Sequence, residues 1–237
     1  DGPVLAMEKL PFPYEILEME TDKVVYYESA RGCPYWCSYC LSSLEKTIRA
    51  LPLERTFKEL DFFLAEKVKQ VKFIDRTFNY DRNRAREIWK YLIEQDNGVT
   101  NFHFEICAEL LDEETFSLLG MARDGLFQFE IGIQTTNEKT LTAIQRSSNI
   151  PKLLSNVEQL IALGNSHIHV DLIAGLPFEG YTSFGHSFNA VYALGADNLQ
   201  LGFLKLLKGT KARSKAESYG YVYRSEAPYE VIANDFI

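Results

Sequence analysis

The chain has 237 residues, with 25 Lys+Arg against 33 Asp+Glu, a formal charge of −8 and 46% apolar residues. This is ordinary globular composition; it excludes a disordered or collagen-like chain, and its acidic balance argues against nucleic acid as the main partner. No apolar run approaches the roughly 18 residues of a membrane span and no signal peptide opens the chain, so no membrane partner is expected.

Residues Asp1 to Asp22 carry three prolines and no periodicity. They read as an extended linker or lead-in, and the absence of an initial Met suggests a piece of a longer protein. From Lys23 onward, strand-like runs alternate with helical patterns. The strands are predicted at Lys23–Glu28, Val71–Asp75, Asn101–Cys107, Leu126–Gln134, His167–Ile173 and Asn198–Leu204. Between them, Thr56–Lys69 opens with an apparent capping box of Thr56 and Glu59. Arg82–Gln95 follows the N-cap Asp81, and Asp112–Arg123 starts with Asp112. Glu138–Gln145 and Pro151–Leu163 form one interrupted helical stretch, and Thr182–Leu194 ends at Gly195. Six strand–helix alternations predict a parallel α/β sheet over residues 23–210. Residues 211–237 read as the start of a truncated C-terminal extension.

Alternation within the strands refines that expectation. Phe102, Phe104 and Ile106 share one face of their strand, and His103, Glu105 and Cys107 the other. Phe127, Phe129, Ile131 and Ile133 oppose Gln128, Glu130, Gly132 and Gln134. Ile168, Val170 and Leu172 oppose His167, His169 and Asp171. Leaving such polar groups buried without partners costs on the order of 2–7 kcal/mol each. A partial (β/α)6 TIM-like barrel with helices outside and a polar lumen inside removes that cost; a one-layer sheet with one face in solvent is the alternative.

Three of the four cysteines fall within eight positions, Cys33, Cys37 and Cys40, directly after the first strand. So close a trio suits metal or cluster ligation better than a disulfide framework, and it points to a reducing, cytoplasmic setting. Loops that follow parallel strands gather at one rim, where active sites form. Three thiolates can wrap one face of an iron–sulfur cube and leave one iron open. The competing reading is a zinc knuckle, with Cys107 or a His as fourth ligand.

The spacing C-x3-C-x2-C, within YYESARGCPYWCSYC and followed by FIDRTF, FHFE, FEIGIQTT, DLIAGLPFE and LQLGFLKLLKGT, resembles the radical S-adenosylmethionine superfamily. Within it, the chain is similar to enzymes related to anaerobic coproporphyrinogen dehydrogenase and to a branch that carries an N-terminal cobalamin-binding domain. The resemblance implies that Cys33, Cys37 and Cys40 hold a 4Fe–4S cluster and act as the catalytic metal centre. It implies that Tyr27, Tyr39, Asp75, Arg76, Thr77, Glu105, Gln134, Arg146, Asp171, Ile173, Gly175 and Leu204 surround S-adenosylmethionine. Asp75-Arg76-Thr77 stand where many relatives carry a Gly-Gly turn, so this turn departs from the pattern. Gln134 and Arg146 match residues that bind ribose and the methionine carboxylate, Asp171 a ribose-facing aspartate, and Ile173, Gly175 and Leu204 the adenine surroundings.

The implied activity is reductive cleavage of S-adenosylmethionine to a 5′-deoxyadenosyl radical that acts on an organic small molecule. The implied partners are a one-electron donor such as flavodoxin or ferredoxin and an upstream cobalamin-binding domain. The chain has no D-x-H-x-x-G cobalamin signature of its own, so cobalamin enters the expectation only through that neighbour. Two other classes remain open from sequence: a zinc-stabilised α/β binding module, and an interaction protein that keeps the fold without the cofactor.

Overall fold

Six parallel strands in strict chain order form the centre of the molecule. The computed structural model describes residues 6–45 and 47–236. The strands are β1 (Val24–Tyr27), β2 (Gln70–Phe73), β3 (Asn101–Ile106), β4 (Phe127–Gln134), β5 (Ser166–Ala174) and β6 (Asn198–Phe203). Every neighbouring pair is parallel. Each connection therefore crosses over through helices: α1 (Leu53–Ala65), α2 (Arg82–Glu94), α3 (Glu113–Leu119), α4 (Glu138–Ala143) with α5 (Ile150–Leu163), and α6 (Tyr181–Tyr192). This is the predicted partial TIM-like barrel. Among the described residues, no helix is long and apolar enough to cross a membrane.

The helices form where the apolar stripe meets the sheet. In α2, Ala85, Ile88, Trp89 and Leu92 are buried at helical spacing, and Asp81 caps the helix by accepting from the Arg84 amide at 3.1 Å. Asp112 caps α3 through the Thr115 amide, and Asn149 caps α5, which ends on left-handed Gly164. The fully buried Phe102, Phe104, Phe127 and Phe129 pack against these helices, with Phe73, Phe78 and Trp89 joining the same aromatic layer.

The expected capping box does not exist. The first helix begins at Leu53, three residues early, because Pro52 presets its entry backbone. Thr56 is thus inside the helix and turns its hydroxyl back to the Pro52 carbonyl. Glu59, rather than capping, accepts a 2.7 Å hydrogen bond from the Tyr27 hydroxyl. The helix also stops at Ala65 rather than Lys69, since Lys67 adopts a positive φ and the chain turns into β2.

Both ends of the described chain pack on the barrel. Phe12 sets its ring edge-on to Phe62 and Phe63, and Met7 is buried. At the other end, a short ribbon of Val222–Tyr223 and Val231–Ala233 follows helix α7 (Lys211–Ser214). Val231 donates its amide to Leu204 and Leu206 donates to Tyr229. Leu204, Leu206, Tyr221 and Val231 join Leu141, Ile144 and Leu176 in a second, smaller core.

Candidate active site

The lumen side chains lie in register across the strands. Lys72, His103, Gln128 and His167 align in one layer; Glu105, Glu130 and His169 in the next; Gly132, Asp171 and Gln200 above them. In the deeper part, charges meet. Lys72 Nζ donates to Glu130 Oε2 at 2.9 Å, and His103 Nε2 lies 3.1 Å from the same oxygen. His103 and Lys72 hold the Glu130 carboxyl down at about 2, against the opposing effect of its burial.

Toward the C-terminal ends of the strands the lumen opens into a cleft of about 190 Å³. Cys33, Cys37 and Cys40 border it, from the loop after β1. That loop is tight. A two-residue pairing of Ala30–Arg31 with Arg49–Ala50 closes its base, and Gly32, at φ +107°, sits where a Cβ would stand 2.6 Å from the Thr47 carbonyl. Only glycine meets both demands. Further along, Ser38 donates its amide to Ile144 and accepts from the Ala212 amide, both at 2.8 Å. The loop is thereby bolted to the second core.

The other walls come from five further segments. Arg76 and Thr77 follow β2; Thr77 Oγ1 stands 3.5 Å from Cys33 Sγ. Burial pushes the Cys33 thiol up, and the Thr77 contact acts against it. Glu105 and Asp171 face each other across β4, and Arg146 enters from the loop after α4. Its Nη2 donates to the Gly132 carbonyl at 2.5 Å and its Nη1 lies 3.7 Å from Cys37 Sγ. Gln134 ends β4 at a register shift with φ +72°. Its amide folds back over Gly132, where a Cβ would stand 2.2 Å from Gln134 Nε2. A non-glycine residue in this backbone region is strained, and such strain gathers at functional sites.

Burial, with repulsion from Glu130, raises the Asp171 carboxyl to about 7; Lys72 works in the opposite direction. Glu105 is likewise raised, by burial first and then by Glu130. Three buried polar atoms on this rim lack a directed hydrogen bond: Gln134 Oε1, Arg146 Nε and Asp171 Oδ1. His169 Nε2 stands 3.0 Å from Asp171 Oδ1, a close contact of poor direction.

Ten of the expected residues therefore line one cleft: Cys33, Cys37, Cys40, Tyr39, Arg76, Thr77, Glu105, Gln134, Arg146 and Asp171. Five do not. Tyr27 lies elsewhere: its ring turns to the helical layer, against Phe63 and Phe73, because it shares the apolar face of β1 with Val25. Asp75 is also displaced from the expected role. Its side chain is buried and accepts from the Ser29 amide and hydroxyl at 2.7 and 2.6 Å, which ties the ends of β1 and β2. Burial raises its carboxyl to about 6 despite those bonds. Leu204 is buried in the second core, Ile173 packs on that core, and Gly175 at φ +88° lies beside Leu204 and Val231.

The structure adds residues that sequence reasoning left out of the site. Glu130 and Gly132 line the cleft, as do Ile106 and Cys107, whose Sγ accepts from the Tyr35 hydroxyl at 3.2 Å. Alternation on β4 already put Glu130 and Gly132 on the lumen face. Glu179 is buried and accepts from Thr135 and Ser187, fixing the loop after β4; no local pattern announces it. Among the described residues, no three His, Cys, Asp or Glu side chains converge as ligands of a single metal ion. The three thiols instead border an open cleft, a donor set suited to a larger cluster.

The family model described as the Radical SAM superfamily matches residues 27–191. A cobalamin-dependent radical SAM methyltransferase, TokK of Streptomyces tokunonensis, is 27% identical over 208 residues, 82% of this chain and 30% of the relative. The chain spans 20–30% of the length of the curated relatives it matches. Among solved structures, the radical S-adenosylmethionine methyltransferase TsrM of Kitasatospora setae superimposes with TM-score 0.73 at 17% identity. That match covers 88% of this chain and 43% of TsrM. The coproporphyrinogen III oxidase HemN of Escherichia coli gives 0.58 at 18% identity, over 79% of this chain and 45% of HemN.

Proposed function

We propose, for a chain that belongs to the radical SAM superfamily, that the cleft holds a 4Fe–4S cluster on Cys33, Cys37 and Cys40 with S-adenosylmethionine beside it. The observation that carries this reading is that the three thiols and three buried polar atoms without directed partners border the same cleft. Buried polar groups in native proteins find partners, so Gln134 Oε1, Arg146 Nε and Asp171 Oδ1 fit a polar ligand. When bound, the pair supplies one-electron cleavage of the sulfonium to methionine and a 5′-deoxyadenosyl radical.

The chain's own residues bind, orient and exclude water. Arg146 is fixed by Gly132 and Cys37, with its Nε free for the methionine carboxylate; its charge also offsets that of a thiolate at Cys37. Asp171 and Gln134 present acceptors suited to ribose hydroxyls. Glu105 stands beside them on the next strand but one from Asp171. Tyr35 and Tyr39 wall the cysteine side and keep solvent from it.

The relatives' names support, as a class, radical methyl transfer to a small organic molecule with the help of cobalamin. TokK is named as cobalamin-dependent, and TsrM has been solved with cobalamin bound. The fold likeness to HemN keeps oxidative chemistry on a porphyrin-like substrate as the second reading.

The test is anaerobic reconstitution with iron and sulfide, followed by dithionite and S-adenosylmethionine. Uptake of iron and sulfide in a cube's proportion, with formation of 5′-deoxyadenosine, supports the assignment. A preparation that takes up neither under strict exclusion of oxygen overturns it.

A further inference from the structure

The cleft beside the cysteines, about 190 Å³, adjoins a wider groove of about 720 Å³. The groove is the larger space and lies within the roughly 300–1,000 Å³ of small-molecule sites. Its walls flank the cysteines in sequence, with Arg31 and Gly32 before them and Leu41 and Leu44 after them. Among the described residues, Arg76 alone lines both spaces. It therefore stands where a molecule lying in the groove would reach the cleft.

Arg76 is also set apart by what it lacks. The chain has eleven arginines, and ten of them meet a carboxylate, a carbonyl or a ring. Among the described residues, Arg76 makes no hydrogen bond, ion pair or ring contact. The two acids of the groove are already held: Glu28 by Arg31, and Glu45 by Arg49. The Arg76 charge reaches Glu105 through space, drawing that carboxyl down against the effect of burial. One positive charge is thus left over at the junction. The turn that carries it is fixed. Asp75 is bonded to Ser29, the Thr77 hydroxyl donates to the Arg76 carbonyl at 2.8 Å, and Asn79 exchanges two hydrogen bonds with the Cys107 backbone, both 2.9 Å. Asp75, Thr77, Phe78 and Asn79 are buried, while Arg76 among them is exposed. A backbone held in this way leaves less to be ordered when a ligand arrives. The groove also offers apolar surface, since Leu41 and Leu44 are 47% and 54% exposed.

We propose that Arg76 binds the carboxylate of a monoanionic organic substrate, whose apolar part lies in the groove against Leu41 and Leu44. This rests on the function proposed above and adds the substrate's class to it. The guanidinium fork matches a carboxylate with two parallel hydrogen bonds. In the reading above Arg146 serves the methionine carboxylate, which leaves Arg76 for a different anion. The charge balance favours a single negative charge: a phosphate dianion would bring a second one, and among the described residues the groove holds no further unpaired cation. Held at the junction, the anionic end fixes which part of the substrate faces the cleft.

The experiment uses three probes with one apolar body: phenylbutyrate, phenylbutyramide and phenylpropyl phosphate. Each is titrated by ligand-observed NMR into wild type, R76Q, R76K and the distant control R224Q, with both the metal-free and the reconstituted chain. S-adenosylmethionine is titrated separately by calorimetry. We expect wild type to bind phenylbutyrate more tightly than its amide. R76Q should weaken phenylbutyrate binding roughly tenfold while leaving the amide, the affinity for S-adenosylmethionine and the unfolding midpoint unchanged. R76K should fall between the two, and R224Q should match wild type. Equal phenylbutyrate affinity in wild type and R76Q overturns the proposal, as does an amide bound as tightly as the acid or a wild type that binds neither. Tighter binding of the phosphate than of the carboxylate overturns the choice of a monoanion. A tenfold loss of S-adenosylmethionine affinity in R76Q overturns it in favour of the methionine carboxylate. A wild type that takes up no iron and sulfide counts against the cluster assignment instead, while the metal-free titrations still decide the role of Arg76.

Discussion

The deep lumen and its upper rim are both lined by polar and charged side chains, yet they handle charge differently. Below, Lys72 donates to Glu130 at 2.9 Å, and His103 Nε2 stands 3.1 Å from the same carboxylate without a directed hydrogen bond. Above, Gln134, Arg146 and Asp171 each keep a buried polar atom without a directed partner. Interiors rarely tolerate such atoms. On the proposed reading, the ion pair of Lys72 with Glu130 holds strands together and the rim atoms are completed by a ligand, a single layer apart.

The largest effect should come from the cysteine side of the rim. Cys37→Ala removes one of three thiols and should reduce iron and sulfide uptake to near background, measured by chemical analysis after anaerobic reconstitution. The deep network should be untouched, so the thermal unfolding midpoint of the metal-free protein should hardly move. A variant that loads iron fully would break the contrast, because the rim would then not depend on its donors.

Gly132→Ala tests the other side of the rim. The added methyl would stand 2.2 Å from Gln134 Nε2, so the glutamine must leave its place over the strand. Because Gln134 already holds a positive φ, the freed side chain has no reason to return. S-adenosylmethionine affinity should fall roughly tenfold, about 1.4 kcal/mol, by calorimetric titration. Unchanged affinity would remove Gln134 from the ligand's surroundings.

The difference between these regions was only partly legible in the sequence. Period-two alternation placed Glu105, Gln134 and Asp171 on one polar face, and they do line the cleft. The same rule, applied to β1, puts Tyr27 beside Val25 on the apolar face, which is where it lies; the family motif pointed the other way. Thr56 and Glu59 matched a capping pattern, but Pro52 began the helix before them. What the sequence could not reveal is pairing at long range: Asp75 with Ser29 across 46 positions, Glu130 with Lys72 across 58, Arg146 with Cys37 across 109. Those partners decide which polar residues are structural, and they exist only once the sheet has closed around them.

The smallest and most discriminating effect is on stability against pH, because the two carboxylates should respond with opposite signs. Glu130 sits at about 2 in the folded protein, below its ordinary value of 4.5. Its pairing therefore stabilises the fold above pH 4.5, and that contribution disappears as the pH falls from 4.5 toward 2. Asp171 sits at about 7, above its ordinary 3.8. Burying its charge therefore destabilises the fold above pH 7, and the cost is relieved as the pH falls from 7 toward 3.8. Glu130→Gln should lower the unfolding midpoint at neutral pH, with the gap to wild type closing near pH 3. Asp171→Asn should raise it at pH 8, with that gap closing near pH 4. Thermal melts of the metal-free chain across pH 3 to 8 read both. Should both substitutions shift the midpoint in the same direction at every pH, the deep layer and the rim would be one network, and the argument from open polar atoms to a bound ligand would lose its footing.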